Sequence, residues 1–323
     1  MKTSSLFCSL LLGSELLLAV NARGQLYTEN FDINNSANWT ANAGAGNNSA
    51  NFYFDYSTVG IPSAPGAGGS TYGMRLAANI SGSVFTGISA SPLGQSFSGD
   101  YKLTYNFWQN FNGNAAGTAS GTTQITGAGI GTSGTTAQHA GLNTMSSLWF
   151  AQTGDGGNSQ NSKDYRAYSS SAVGGGTSGN IGVGYTTNSG VYAAGIGPTS
   201  ADNLNPYYAA LGANTVPSAQ TTLLATQTGT TAVGAPGFKW HTGEILKLGN
   251  TVTYSIDGLL IFTVDASTLT FGGGNILFVQ SDVNSGSSTD PNAATYAFGL
   301  FDNIVVEAVP EPSSLALGLV GAA

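Results

Sequence analysis

Residues 250–267, NTVTYSIDGLLIFTVDAS, narrow the fold of this chain more than any other stretch. Val252, Tyr254 and Ile256 alternate with polar residues, the period-two pattern of a strand with one buried face. Asp257-Gly258 then supplies two residues that tolerate positive φ, as a tight primed turn requires, and an apolar run from Leu259 to Val264 returns. The expected product is a β-hairpin. Similar short runs, separated by clusters of Gly, Asn, Ser and Thr, recur through residues 25–308, and nothing there keeps a 3.6-residue apolar period over three turns. Further strands are expected at 101–107, 147–151, 165–169, 237–241, 245–248, 276–280 and 300–307.

The pattern predicts an all-β fold, a two-sheet antiparallel β-sandwich. Residues 113–141 and 169–190 are rich in Gly, Thr, Ser and Ala with few large side chains, and read as long surface connections or weak edge strands. No composition shift and no fixed-period repeat divides 25–308, so one domain is expected there. Forty-one per cent of the residues are hydrophobic, enough for a core and unlike a disordered chain. Only 7% are charged, against about 25% in an average globular protein, so the surface should consist of hydroxyls and amides.

The formal net charge is −8, with eight Lys and Arg against 16 Asp and Glu. No basic stripe exists, which argues against nucleic acid and against anionic lipid as partners. Neutral or weakly charged partners such as polysaccharides fit better. The only cysteine, Cys8, lies in the N-terminal leader, so the body can form no disulfide, Cys-ligated zinc site or thiol nucleophile.

Residues 1–24 have the form of a secretory signal peptide: Lys2, then leucine-rich stretches, then Val20-Asn21-Ala22, with cleavage expected after Ala22 or Gly24. Glu15 is an unfavourable charge within the apolar region. At the other end, Val309-Pro310-Glu311-Pro312-Ser313 and the apolar residues after it (309–323) resemble the PEP-CTERM sorting signal of Gram-negative bacteria. That resemblance implies processing by an exosortase, only transient membrane contact, and delivery to the cell envelope or extracellular matrix. The apolar run covers about ten residues where a span needs about 20, and no arginine cluster follows. The expectation is therefore a fragment or a premature stop, and the chain as given would not be retained in the membrane.

Several stretches of the body, in order, resemble secreted bacterial proteins with a concanavalin A-like jelly roll: YTENFD, FYFDYSTVGIPSAP, YKLTYNFWQNFNG, GFKWHTGEILKLGNTVTYSIDGLLI and LFDNIVV. The resemblance implies two packed antiparallel sheets whose first and last strands meet, placing the termini close together. It carries no established activity with it.

Chemistry is sparse. Jelly-roll glycosidases set carboxylates on one strand as Glu-x-Asp-x(-x)-Glu, so that one acid protonates the leaving group while another attacks or activates water. That pattern is absent; Glu29 and Asp32 have the wrong spacing, and Glu244 stands alone. The two histidines are expected in structural roles, His241 hydrogen-bonded to backbone. Structural calcium, a hard cation that takes oxygen ligands, is expected at Glu29 or Asp32 with Asp302, where the jelly roll would bring first and last strands together. Two loops also gather oxygen ligands: Asp155, Asn158, Asn161 and Asp164, and Asp282, Asn284 and Asp290. For sugar recognition, Tyr165, Tyr168, Tyr207 and Tyr208 are the expected aromatic faces, with Tyr185 and Tyr192 in similar surroundings, while Trp108 and Trp149 are expected in the core. The leading expectation is a secreted, non-enzymatic protein that binds glycan in an exopolysaccharide matrix or biofilm. The alternatives are a polysaccharide hydrolase or lyase and a ligand-free coat.

Overall fold

In the computed structural model, which describes residues 24–80, 86–112, 124–142, 145–156, 164–170, 191–283 and 292–310, fourteen strands supply most of the regular structure. In chain order they are β1 Gln25–Glu29, β2 Trp39–Ala43, β3 Ser49–Asp55, β4 Tyr72–Ala77, β5 Thr86–Pro92, β6 Tyr101–Asn110 and β7 Gln124–Thr132. There follow β8 Leu148–Thr153, β9 Tyr165–Tyr168, β10 His241–Leu248, β11 Thr251–Ile256, β12 Leu259–Asp265, β13 Asn275–Asp282 and β14 Phe298–Ala308. One sheet runs β12-β11-β10-β6-β14-β4-β3, with β1 also on β14; the other runs β2-β5-β13-β7-β8-β9. This is the two-sheet antiparallel sandwich that the alternating pattern predicts.

Alternation decides what each sheet buries. Inward side chains from both sheets interdigitate around Phe278, whose ring centre lies 5.4 Å from Tyr105, 4.9 Å from Phe301 and 6.0 Å from Trp39. Burying a side chain of this size stabilises the fold by about 1.5–3 kcal/mol. The outer face of the first sheet is covered as well: Trp108, Phe298 and Leu300 pack under residues 56–67 together with Phe238 and Trp240. Trp149 is buried on the outer face of the second sheet, beside Leu277, Val279 and Tyr168. Both Trp108 and Trp149 are therefore buried, each on an outer face rather than between the sheets.

The hairpin forms as read. Asp257 and Gly258 have φ of 51° and 79°, and β11 and β12 leave them in antiparallel register, Ile256 opposite Leu259. Two expectations need correction. Residues 237–240 form a turn, with Phe238 at φ 58°, and β10 starts only at His241. Part of the glycine-rich segment 113–141 is no edge: β7 lies inside its sheet, between β13 and β8, with every residue buried. Its outward glycines permit that packing, since a Cβ on Gly129 would lie 2.3 Å from that of Trp149. The remainder of that segment that is not described, and residues 171–190, lie outside the described residues.

The first and last strands pair, Gln25 opposite Glu307 and Glu29 opposite Ile304. Ala308 donates its backbone N–H to Gly24, and Val309 donates to Asp100. Both ends of the body therefore leave it side by side.

Candidate functional site

A cleft of about 340 Å³ opens where β1 ends beside the connection following β5. Three segments line it. β1 contributes Tyr27, Thr28 and Glu29, the turn ahead of β2 contributes Asn35 and Asn38, and Pro92, Leu93 and Gln95 close the other side. The walls are tied together because Trp39 pairs with Pro92 and Leu93 donates its N–H to the carbonyl of Asn38. The Tyr27 ring stands edge-on to Trp39 at 6.4 Å and to Phe97 at 6.3 Å, which anchors one wall in the inter-sheet core.

Glu29 is the one ionisable carboxylate in this lining and is only 6% exposed. Its Oε1 accepts the Phe31 N–H at 2.9 Å, a bond made possible by the positive φ of Phe31 (57°), and the Asn35 side-chain amide approaches both its oxygens at 3.3–3.4 Å. Burial, and secondarily the charge of Glu29, push the Tyr27 hydroxyl well above its ordinary range. The lining thus offers three side-chain amides, two hydroxyls and a carboxylate over an aromatic ring, and no Lys, Arg or His.

Glu29, Asp32 and Asp302, expected to share calcium, do come within electrostatic reach of one another. Burial pushes the Asp302 carboxyl up to about 7 against the hydrogen bonds it accepts from the Asn303 N–H and the Tyr56 hydroxyl, and the charges of Asp32 and Glu29 add to the rise. Asp32 is exposed and accepts from the Asn30 side chain. Each carboxylate is committed to neutral donors, and among the described residues no group of three or more His, Cys, Asp or Glu could hold a metal ion. In the first of the two loops, Asp164 accepts from Thr153 and the Asn203 N–H, and Asp155 is pushed up to about 7 by burial, with the charge of Asp164 adding to it. Asp282 accepts from Asn79. Asn158, Asn161, Asn284 and Asp290 lie outside the described residues, as do Tyr185, Glu311, Pro312 and Ser313.

The tyrosines expected as sugar-binding faces sit elsewhere, and mostly inside. Tyr165 and Tyr208 are fully buried and stacked on each other at 4.1 Å, each donating its hydroxyl to a backbone carbonyl. Tyr168 stacks on Trp149, and Tyr192 donates to the carbonyl of Tyr165. Tyr207 is half-buried, its hydroxyl on the Leu260 carbonyl. They are inside because residues 191–211 fold back over the sandwich, a feature that their polar neighbours in sequence do not reveal. None of these rings reaches the cleft.

His241 also differs from expectation: its Nδ1 meets the Asp257 carboxylate at 2.7 Å, not a backbone group. Its Nε2 is buried without a hydrogen-bond partner, so no hydroxyl is set on it as a nucleophile. His139 is the histidine on backbone, its Nδ1 2.7 Å from the Ala140 carbonyl. Glu244 is drawn to Lys102 (3.5 Å), which Glu307 also approaches (3.6 Å).

Tyr27, Asn35, Asn38 and Gln95 escaped the sequence reading. The one local signal is the Asn-rich run NNSANW directly after the first strand; the 92–95 wall joins it only through the fold.

No protein-family model matches the chain, and no curated protein matches it in sequence. Solved structures are similar to it along most of its length at low identity. A Bacillus subtilis protein of unknown function with a galectin-like fold aligns at TM-score 0.44 and 10% identity, over 88% of this chain and 96% of its own. The Bacillus licheniformis β-glucanase aligns at 0.40 and 12%, over 90% and 100%. The exoplasmic/lumenal domain of VIP36, in a form bound to Ca2+ and Man2, aligns at 0.40 and 6%, over 90% of each chain.

Proposed function

We propose that this chain is a secreted, non-enzymatic glycan-binding protein and that the cleft beside Glu29 takes the saccharide. The observation that carries this reading is the lining itself. Sugar hydroxyls both donate and accept, and side-chain amides match them better than ions do; Asn35, Asn38 and Gln95 supply such amides, with Thr28 and the Tyr27 ring beside them. At about 340 Å³ the cleft lies at the small end of ligand sites, suited to a short stretch of polymer rather than a deep-buried cofactor.

The address belongs to the same proposal. A leader over residues 1–24 would send the chain out of the cytoplasm, and the VPEPS motif at 309–313 would bring an exosortase to it at the envelope. Gly24 and Val309 leave the body at one edge, which supports a protein processed at both ends without disturbing the sandwich. Among the described residues no group of three or more His, Cys, Asp or Glu could hold a metal ion, so calcium enters the proposal only as a variable in its test.

The test is affinity electrophoresis of the full chain through gels holding neutral polysaccharides, with and without calcium. Retardation by a polymer, lost in Asn35→Ala/Asn38→Ala but kept in Tyr207→Ala, is expected. Uniform mobility in every gel would overturn the binding reading in favour of a coat protein. New reducing ends released from a retarding polymer would overturn the non-enzymatic part.

A further inference from the structure

The cleft has a charge asymmetry that its amides do not explain. Glu29 is buried to 94% of its surface, and what remains faces the cleft. Its partners, the Phe31 N–H and the Asn35 amide, are both neutral, and the Asn35 contacts are long. Two hydrogen-bond donors leave acceptor capacity on a carboxylate, which carries about four lone-pair sites. Buried carboxylates ordinarily pair with a cation. Here no cation lines the cleft, and its acidic neighbours, Asp32 and Asp302, supply none. Lys102, on the same sheet, is already held between Glu244 and Glu307.

From this we infer that the saccharide preferred by the cleft carries a free primary amine, whose ammonium group sits on Glu29. The inference rests on the glycan-binding reading above and specifies its substrate class. An ammonium presents three donors and a charge to the open side of the carboxylate, replacing water with a charge-assisted hydrogen bond. An N-acetylated sugar offers one weak donor there, and a uronic acid meets like charge. The amides and the Tyr27 ring serve all three alike, so selectivity falls on Glu29 alone. A charge-assisted hydrogen bond to this carboxylate should favour the amine by roughly 10-fold over its acetylated counterpart.

Titration of the full-length chain with glucosamine oligosaccharides, the same oligosaccharides after N-acetylation, and oligogalacturonate tests this, in mildly acidic buffer without calcium. Affinity should rank amine, then acetylated, then uronate, and the gap between the first two should shrink with added salt. Glu29→Gln should bring amine and acetylated affinities together, and an unchanged circular-dichroism spectrum and melting curve report separately that the variant is folded. Equal affinity for amine and acetylated oligomers in the unaltered chain would overturn the inference and leave the glycan-binding reading standing. Binding of the acetylated oligomer only when calcium is added would overturn it in favour of a metal ion on Glu29. No binding to any oligomer or to any neutral polymer would overturn both.

Discussion

Nδ1 of His241 lies 2.7 Å from Oδ2 of Asp257, so a side chain at the start of β10 holds the turn that joins β11 to β12. The same carboxylate accepts the Thr242 N–H at 2.8 Å, and the backbone N–H of Asp257 donates to the Thr242 carbonyl. Asp257→Ala removes both side-chain bonds and leaves an alanine at φ 51°. It should lower stability by about 2–4 kcal/mol, read as a shift in the urea midpoint. Burial works against ionisation of Asp257, but the His241 bond and charge and the Thr242 amide outweigh it and hold the carboxyl below its ordinary value of 3.8. Its contribution is therefore complete above that value and is lost as pH falls through the folded-state pKa. Asp257→Asn should keep the turn and flatten that acid limb.

Asp302 acts in the opposite direction. Its carboxyl is raised from 3.8 to about 7 in the folded chain, chiefly by burial, so between those values the folded state binds the extra proton. Stability from this group is full below 3.8 and declines as pH rises, levelling off above about 7, by an amount on the order of 2–4 kcal/mol. Melting temperature should fall across that window in the unaltered chain. Asp302→Asn, which keeps an acceptor for the Asn303 N–H, should melt higher than the parent on the alkaline side and show a shallower slope. Asp155, raised to about 7 by its own burial, would retain part of the slope. A parent melting temperature independent of pH there would contradict the buried, carboxylate-surrounded setting of Asp302.

Gly129→Ala should be costly although it adds one methyl group. The new Cβ would stand 2.3 Å from the Trp149 Cβ and 2.4 Å from the Leu148 carbonyl oxygen, both on the neighbouring strand. Overpacking against backbone should cost about 1–3 kcal/mol and alter Trp149 fluorescence.

Tyr208→Ala should behave as a core deletion, lowering stability by about 3–5 kcal/mol, because the ring is stacked on Tyr165 and fully buried. Glycan retardation, measured at a temperature where the variant is folded, should be unchanged. Loss of retardation without loss of stability would return the binding face to the tyrosines.

What could be read from the sequence follows how local each determinant is. Asp257-Gly258 dictates its own turn, and Val252, Tyr254 and Ile256 declare their buried face by spacing alone, so the hairpin was legible. β7 was not, because Gly127, Gly129 and Gly131 look like a loop until Trp149 and Ala151 are seen to fill the space over two of them. The tyrosines misled for a related reason: Tyr165 and Tyr208 stand 43 positions apart in polar surroundings, and only the fold stacks their rings. Glu29 and Asp302 were drawn together correctly from the meeting of first and last strands, but their actual partners, Asn35 and Tyr56, lie on turns whose positions no local pattern fixes. Gln95 joins Asn35 in the cleft through the pairing of β2 with β5.

The position of β14 sets the order in which this protein can come into being. It is the last of the described strands to be made, yet it lies in the middle of its sheet, hydrogen-bonded to β6, β4 and β1. β13, made just before it, is likewise the strand that β5 and β7 both lean on. Until these final two strands leave the ribosome, both halves of the sandwich are split open, with raw edges where their centres should be. A nascent chain of this design cannot close either sheet until both of these central strands have been made.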